Sequence, residues 1–219
     1  MPFWLHSLGA FVLAFGLLEV ALSALELCLG LRRQRRIVWI ATLGALVFVL
    51  PDLLTGNPLT PTQVIDVPGL ARGLDTPHSV LNDTYLQFIP WEAEVRRLFG
   101  QGHLPLWSDR LGGGFPIWSN PQAQCISPIA MLTRLGPIEQ FLLLGLALKI
   151  AIAFRGVIWL CRILGATRFG AGLGAASFAW GGGLLAWGLW PHGSTLAWLP
   201  WLLVSTILLV RRYSRRRMA

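Results

Sequence analysis

Charged side chains make up only 13% of this chain's 219 residues, so the few that could do chemistry stand out. Two of them, Glu19 and Glu26, fall inside one apolar run with Ser23, and the spacings of four and three residues put all three on one face of a helix. Lys149 and Arg155 sit in a second apolar run. A charge in hydrocarbon costs at least about 2.5 to 3.5 kcal/mol, so such groups must face protein. Counting from the outer end of each run puts Glu19 and Arg155 at a similar depth of roughly 22 to 24 Å. That depth matches a structural ion pair; a proton or ion pathway is the other use, and it needs a longer chain of polar groups.

A second group lies in "LNDTYLQFIPWEAEVRRLFGQGHLPLWSDRLGGGFPIWSNPQ", residues 81–122. Thr84 and Gln87 have the spacing of a capping box, which leaves Asp83 free of capping. A carboxylate so placed can act as a general base or hold a metal; a solvated turn residue is the plain alternative. Arg96, Arg97 and Arg110 carry guanidinium groups suited to a phosphate. Ser119, Asn120, Gln122 and Gln124 offer the hydrogen bonds that sugars accept. The triplet Gly112 to Gly114 lets the backbone approach a ligand or another segment, and it lacks the Lys-Ser/Thr ending of a nucleotide loop.

Metal and redox chemistry have weaker footing. Cys28, Cys125 and Cys161 show no paired spacing, and His6, His78, His103 and His192 are far apart in sequence. Whether a metal is used stays open, since a hard divalent cation needs only a few carboxylate oxygens.

The elements that position these residues are membrane helices. With 54% hydrophobic residues, 11 Trp and a mean hydropathy of +0.60, the composition is that of an integral membrane protein. The expected fold is a single all-α membrane domain with about five transmembrane helices, at about 4–31, 37–54, 139–164, 169–190 and 194–210. A long extracytoplasmic first loop, 55–138, separates the second from the third. Arg32, Arg33, Arg35, Arg36, Arg162, Arg168, Arg211, Arg212, Arg215, Arg216 and Arg217 then share one side, which makes it cytoplasmic and puts the N-terminus outside. The net charge of +8 thus reflects membrane orientation, and basic residues that do not interleave with stacking aromatics argue against nucleic acid. Trp4, Trp107, Trp118, Trp190 and Trp198 lie near the expected outer boundaries. Gly170, Gly174 and Gly181 to Gly183 predict close helix packing in the fourth span.

Inside the loop, "PWEAEVRRLFG" predicts a short helix, with Pro90 in its first turn, acids early, arginines late and Gly100 at the end. Trp91, Val95, Leu98 and Phe99 form one apolar stripe, so this helix is expected to be amphipathic and to lie on the membrane surface.

The elements "NDTYLQFIPW", "GHLPLWSDRLGGGFPIWSNPQAQCISPIAML" and "FAWGGGLLAWGLWPHGSTLAWLPWLL" resemble, in this order, the opening portion of the YfhO family of bacterial membrane proteins. That family is related to GT-C glycosyltransferases, which take sugars from polyprenyl-phosphate carriers. The resemblance spans roughly residues 40 to 210. It implies a membrane glycosyltransferase of the cell envelope with a polyprenyl-phosphate sugar as donor, an essential acid at Asp83 and a cavity-lining polar position at His192. Members of that family continue through many more spans, so the resemblance implies a truncated enzyme or half of a split one, completed by a second polypeptide. A non-catalytic scaffold or transport-related subunit is the competing expectation.

Overall fold

The computed structural model describes residues 3–31, 35–55 and 83–218. Arg32, Arg33, His78 and the rest of residues 56–82 lie outside them, as do the side chains of Trp4, His6, Arg35, Arg215, Arg216 and Arg217.

Among the described residues the regular elements are helices, joined by turns and loops that include one isolated antiparallel bridge between Ser108 and Phe115. In chain order the helices are α1 (Phe3–Cys28), α2 (Arg35–Thr55), α3 (Ile89–Gly100), α4 (Pro128–Thr133), α5 (Phe141–Ile163), α6 (Arg168–Ala179), α7 (Gly182–Ala186) and α8 (Pro191–Met218). A π-helical turn, Thr84–Phe88, leads directly into α3. Among the described residues four stretches are long and apolar enough to cross a membrane: Leu8–Cys28, Ile138–Ile163, Arg168–Ala186 and Pro191–Tyr213. In α2 the described apolar stretch is Arg36–Val47, and the sequence continues it through Phe48, Val49 and Leu50 up to Pro51. The chain is an all-α membrane protein.

The bundle is built around α5, which packs on α1, α2, α6 and α8 and has 94% of its apolar window buried. This placement explains how one helix can carry both Lys149 and Arg155, since neither meets lipid. The packing is close. Gly156 sits against α8, where a β-carbon would come within 2.8 Å of the Trp201 ring, and the Trp201 indole donates to the Ile152 carbonyl at 2.9 Å. Outward-facing residues such as Val12, Val20, Trp39, Val47 and Leu202 are each more than 60% exposed, as expected of a surface that meets acyl chains.

Three local expectations change. The fourth apolar run is two helices, because the chain turns extended at Gly181 (φ −70°, ψ 153°), where a side chain would collide with the Ser177 carbonyl. The last helix runs past its apolar part into the basic tail. The stripe on α3 does not face a membrane: Val95 and Leu98 are buried against Ile117, Ala123 and Cys125, with Trp91 and Phe99 packed alongside. The loop supplies its own apolar cover, and residues 83–137 thereby form a packed cap.

Both ends of the bundle have a distinct character. Arg211 donates to the Ile163 carbonyl at 3.2 Å, Arg212 lies beside Gly30, and Arg36, Arg162 and Arg168 surround one cavity. All these arginines are thus gathered at one end, and the cap covers the N-terminal end of α5.

Candidate functional site

The cap is fastened by two carboxylates two residues apart in α3, Glu92 and Glu94. Glu92, 2% exposed, accepts from Arg96 Nε at 2.8 Å and from Arg134 through Nη2 at 2.8 Å and Nε at 3.1 Å. Arg96 also donates to the carbonyls of Gly136 and Thr133, at 2.5 and 2.9 Å, and Arg134 donates to the Cys125 carbonyl at 2.6 Å. Glu94 takes two bonds from Arg97, at 2.6 and 2.8 Å, and one from the Ser108 hydroxyl at 2.7 Å. The Arg97 guanidinium, followed by the Ser108 bond, holds the Glu94 carboxyl well below its ordinary value, at about 2, against the opposing pull of burial. Arg97 further reaches Gln101 and Asp109. Arg96 and Arg97 are therefore occupied inside the cap. Arg110 is exposed, and among the described residues its guanidinium makes no hydrogen bond.

The glycine triplet has a local task. Gly112, Gly113 and Gly114 take φ values of 56°, 77° and 130°, a run of left-handed conformations that closes the paired strand ends at Ser108 and Phe115. This turn sets the Ser108 hydroxyl against Glu94.

Asp83 begins the π-helical turn and is partly buried. The expected capping box does not form: Gln87 donates to Asp83 Oδ1 at 2.9 Å, and the Thr84 hydroxyl is buried with no hydrogen-bond partner among the described residues. With Asp83 already in right-handed helical conformation, the turn begins upstream of Thr84 and puts Gln87 one helical step from the acid. Phe88, on the same segment, packs edge-on against Trp190 at 5.4 Å between ring centres.

Asn120, Gln122 and His192 come together. They line a cavity of about 440 Å³ with Trp118, Gln124 and Ser194, at the junction between the cap and the start of α8. Asn120 accepts from the Gln122 amide at 3.0 Å, which shapes the 3₁₀ turn Pro121–Ala123. Gln124 adopts a left-handed conformation (φ 48°) and its side-chain oxygen accepts from Ser194 at 3.1 Å, so a backbone costly for a non-glycine residue pins the cap to α8. His192 is exposed, with its ring 5.4 Å from that of Trp187. A smaller recess of about 30 Å³ shares Gln122, Gln124 and Pro191 with the larger one, and Phe88, Glu92 and Lys149 also line it. Lys149 donates to the carbonyls of Gly188 and Trp190 at 2.7 and 3.0 Å, holding open the α7–α8 corner. Ser194 was not singled out from the sequence, where a serine after Gly193 reads as an ordinary helix start.

Chemically, the larger cavity offers an indole face, three side-chain amides, hydroxyls and an imidazole, which suit a neutral polyhydroxylated ligand. Among the described residues no three His, Cys, Asp or Glu side chains gather as metal ligands.

Within the membrane part, Arg155 is fully buried and ties the expected face of α1 to α5. It donates to Glu19 at 2.7 Å and to both oxygens of Glu26 at 2.8 Å, with Ser23 at 3.4 Å, while the Trp159 indole donates to Glu26 at 2.5 Å. The expected Glu19 pair is thus one arm of a larger cluster in which Glu26 is the more buried partner.

No protein-family model, no curated protein and no solved structure matches this chain.

Proposed function

We propose that this chain binds a polyprenyl-phosphate sugar at the capped end of the bundle and transfers the sugar to an acceptor outside the membrane. The observation that carries the reading is the cavity in which Trp118, Asn120, Gln122, Ser194 and His192 converge beside the membrane helices. A sugar fits such a lining: its apolar face can lie on the indole and its hydroxyls on the amides. The resemblance to the YfhO family supplies the donor class. α2 then acts as a fifth crossing, and the arginine-rich end faces the cytoplasm.

In this reading Asp83 takes the proton of the acceptor hydroxyl as its oxygen attacks the anomeric carbon, and the carrier phosphate leaves with the bonding electrons. Asp83 heads the helical segment that brings Phe88 to the recess adjoining the cavity. General-base help of this kind is worth about 10²- to 10⁴-fold. With Arg96 and Arg97 engaged by Glu92 and Glu94, Arg110 is the candidate for the departing phosphate.

The same engagement of Arg96 and Arg97 favours one second reading, a non-catalytic scaffold whose cap is a rigid docking platform. Sugar transfer from a labelled polyprenyl-phosphate donor, in membranes that carry the chain, separates the two. Asp83→Asn keeps an oxygen for Gln87 but removes the base, so transfer should fall by about 10² or more with unchanged protein yield. Wild-type transfer by this variant removes Asp83 from catalysis, and no transfer by the wild type with any donor favours the scaffold.

A further inference from the structure

The cavity at the opposite end is unrelated to sugar chemistry. It measures about 620 Å³ and is lined by Arg36 from α2, Arg162 from α5 and Arg168 from α6, together with Ile37, Ile40 and Ile158. No acidic side chain lines it among the described residues. Three exposed arginines from three helices therefore line one space with no counter-charge among the described residues, and an anion entering it would offset their mutual repulsion. Among the described residues only Arg162 has a protein acceptor here, the Ala166 carbonyl at 2.7 Å. Arg168 is the first residue of α6, whose Thr167 cap leaves the positive end of the helix dipole at the same corner.

The surroundings select the kind of anion. Of the lining residues Ile40 is 48% exposed, and Trp39, Phe169 and Leu173, next in sequence to the lining residues Ile40, Arg168 and Gly172, are 65%, 82% and 60% exposed. A soluble anion has no use for an apolar rim, whereas a phospholipid needs both a cationic seat for its phosphate and apolar walls for its chains. We infer that this cavity is a binding site for an anionic phospholipid, whose headgroup phosphate sits among Arg36, Arg162 and Arg168 and whose acyl chains run along the exposed faces of α2 and α6. Occupation would tie α2 to the α5–α6 corner. The inference does not rest on the sugar-transfer reading.

The test is electron spin resonance of the full chain in vesicles of phosphatidylcholine, with chain-labelled phosphatidylglycerol or phosphatidylcholine as the probe. Phosphatidylglycerol should show a motionally restricted fraction several-fold larger than phosphatidylcholine does, in salt sufficient to screen loose surface attraction. The double variant R36Q/R168Q, which leaves the Arg162 contact to Ala166 intact, should reduce that preference to near parity without changing the thermal unfolding of the protein. Equal restriction of the two lipids by the wild type overturns the proposal, as does full preference in the double variant. Displacement of the labelled phosphatidylglycerol by inorganic phosphate at equal concentration would identify a free-anion site and also overturn it.

Discussion

Two ion clusters hold this protein together, one inside the bundle and one in the cap, and they use the same side chains to different effect. In the bundle, one arginine serves two glutamates: Arg155 binds Glu26 with two bonds and Glu19 with one. In the cap, two arginines serve one glutamate, as Arg96 and Arg134 converge on Glu92. The bundle cluster has no solvent to fall back on, so its value lies in joining α1 to α5. Arg96 and Arg134 are 20% and 10% exposed and also bind carbonyls, so the cap cluster shares its load with backbone contacts. Losing a member should therefore be severe in the bundle and graded in the cap.

The largest effect is expected at Arg155. Arg155→Gln leaves Glu26 buried against an amide and should cost about 3 to 5 kcal/mol, read as a collapse of membrane-protein yield. Arg155→Gln combined with Glu26→Gln should recover part of the loss, whereas strictly additive losses would break the claim of direct coupling. Glu19→Gln should be milder, because Glu26 keeps its two bonds to Arg155.

Glu92→Gln should come next, at about 1 to 3 kcal/mol. It should appear as faster trypsin cleavage within the cap while the bundle keeps its unfolding temperature. Equal loss in both regions would contradict their separation.

Acid provides a graded version of the same contrast. The Glu94 carboxyl is lowered from 4.5 to about 2 chiefly by Arg97, so its stabilisation of the cap is complete above about pH 4.5 and is lost as pH falls toward about 2. Protease sensitivity at the Ser108–Phe115 turn should rise through that window, and Glu94→Gln should show the sensitivity at all pH values. A flat profile in the wild type would count against the Glu94–Arg97 bond.

The smallest effect is expected at Thr84. Its hydroxyl is buried and unpaired among the described residues. Thr84→Val should be neutral or stabilising by up to ~1 kcal/mol in thermal unfolding. A clear loss would mean that the hydroxyl has a partner.

The bundle was the more legible of the two regions. Glu19, Ser23 and Glu26 announce a shared helix face by spacing alone, and the cost of charge in hydrocarbon directs that face to Arg155. In the cap the same kind of residue misleads. Glu92 and Glu94 also suit the first half of a helix in water, and the stripe of Trp91, Val95, Leu98 and Phe99 suits a membrane surface as well as a protein one. What decides is the cover from Ile117, Ala123 and Cys125, a tertiary contact that periodicity does not encode. Thr84 and Gln87 show the same limit, since a capping-box spacing holds only if the helix starts there. Asn120 and Gln122 stand out by their chemistry and His192 through the family resemblance, but the cavity that unites them depends on the Gln124–Ser194 bond between distant segments.

The central claim is that the cavity between the cap and α8 holds the sugar of a polyprenyl-phosphate donor, and photo-crosslinking tests it most directly. Ile126 lines the cavity and is 67% exposed, so a benzophenone amino acid can replace it without disturbing the core. Irradiation with labelled polyprenyl-phosphate sugar should give an adduct that unlabelled donor suppresses and that Asn120→Ala with His192→Ala weakens several-fold. No adduct, or one formed equally well from a benzophenone at the outward-facing Val12 on α1, would contradict the account.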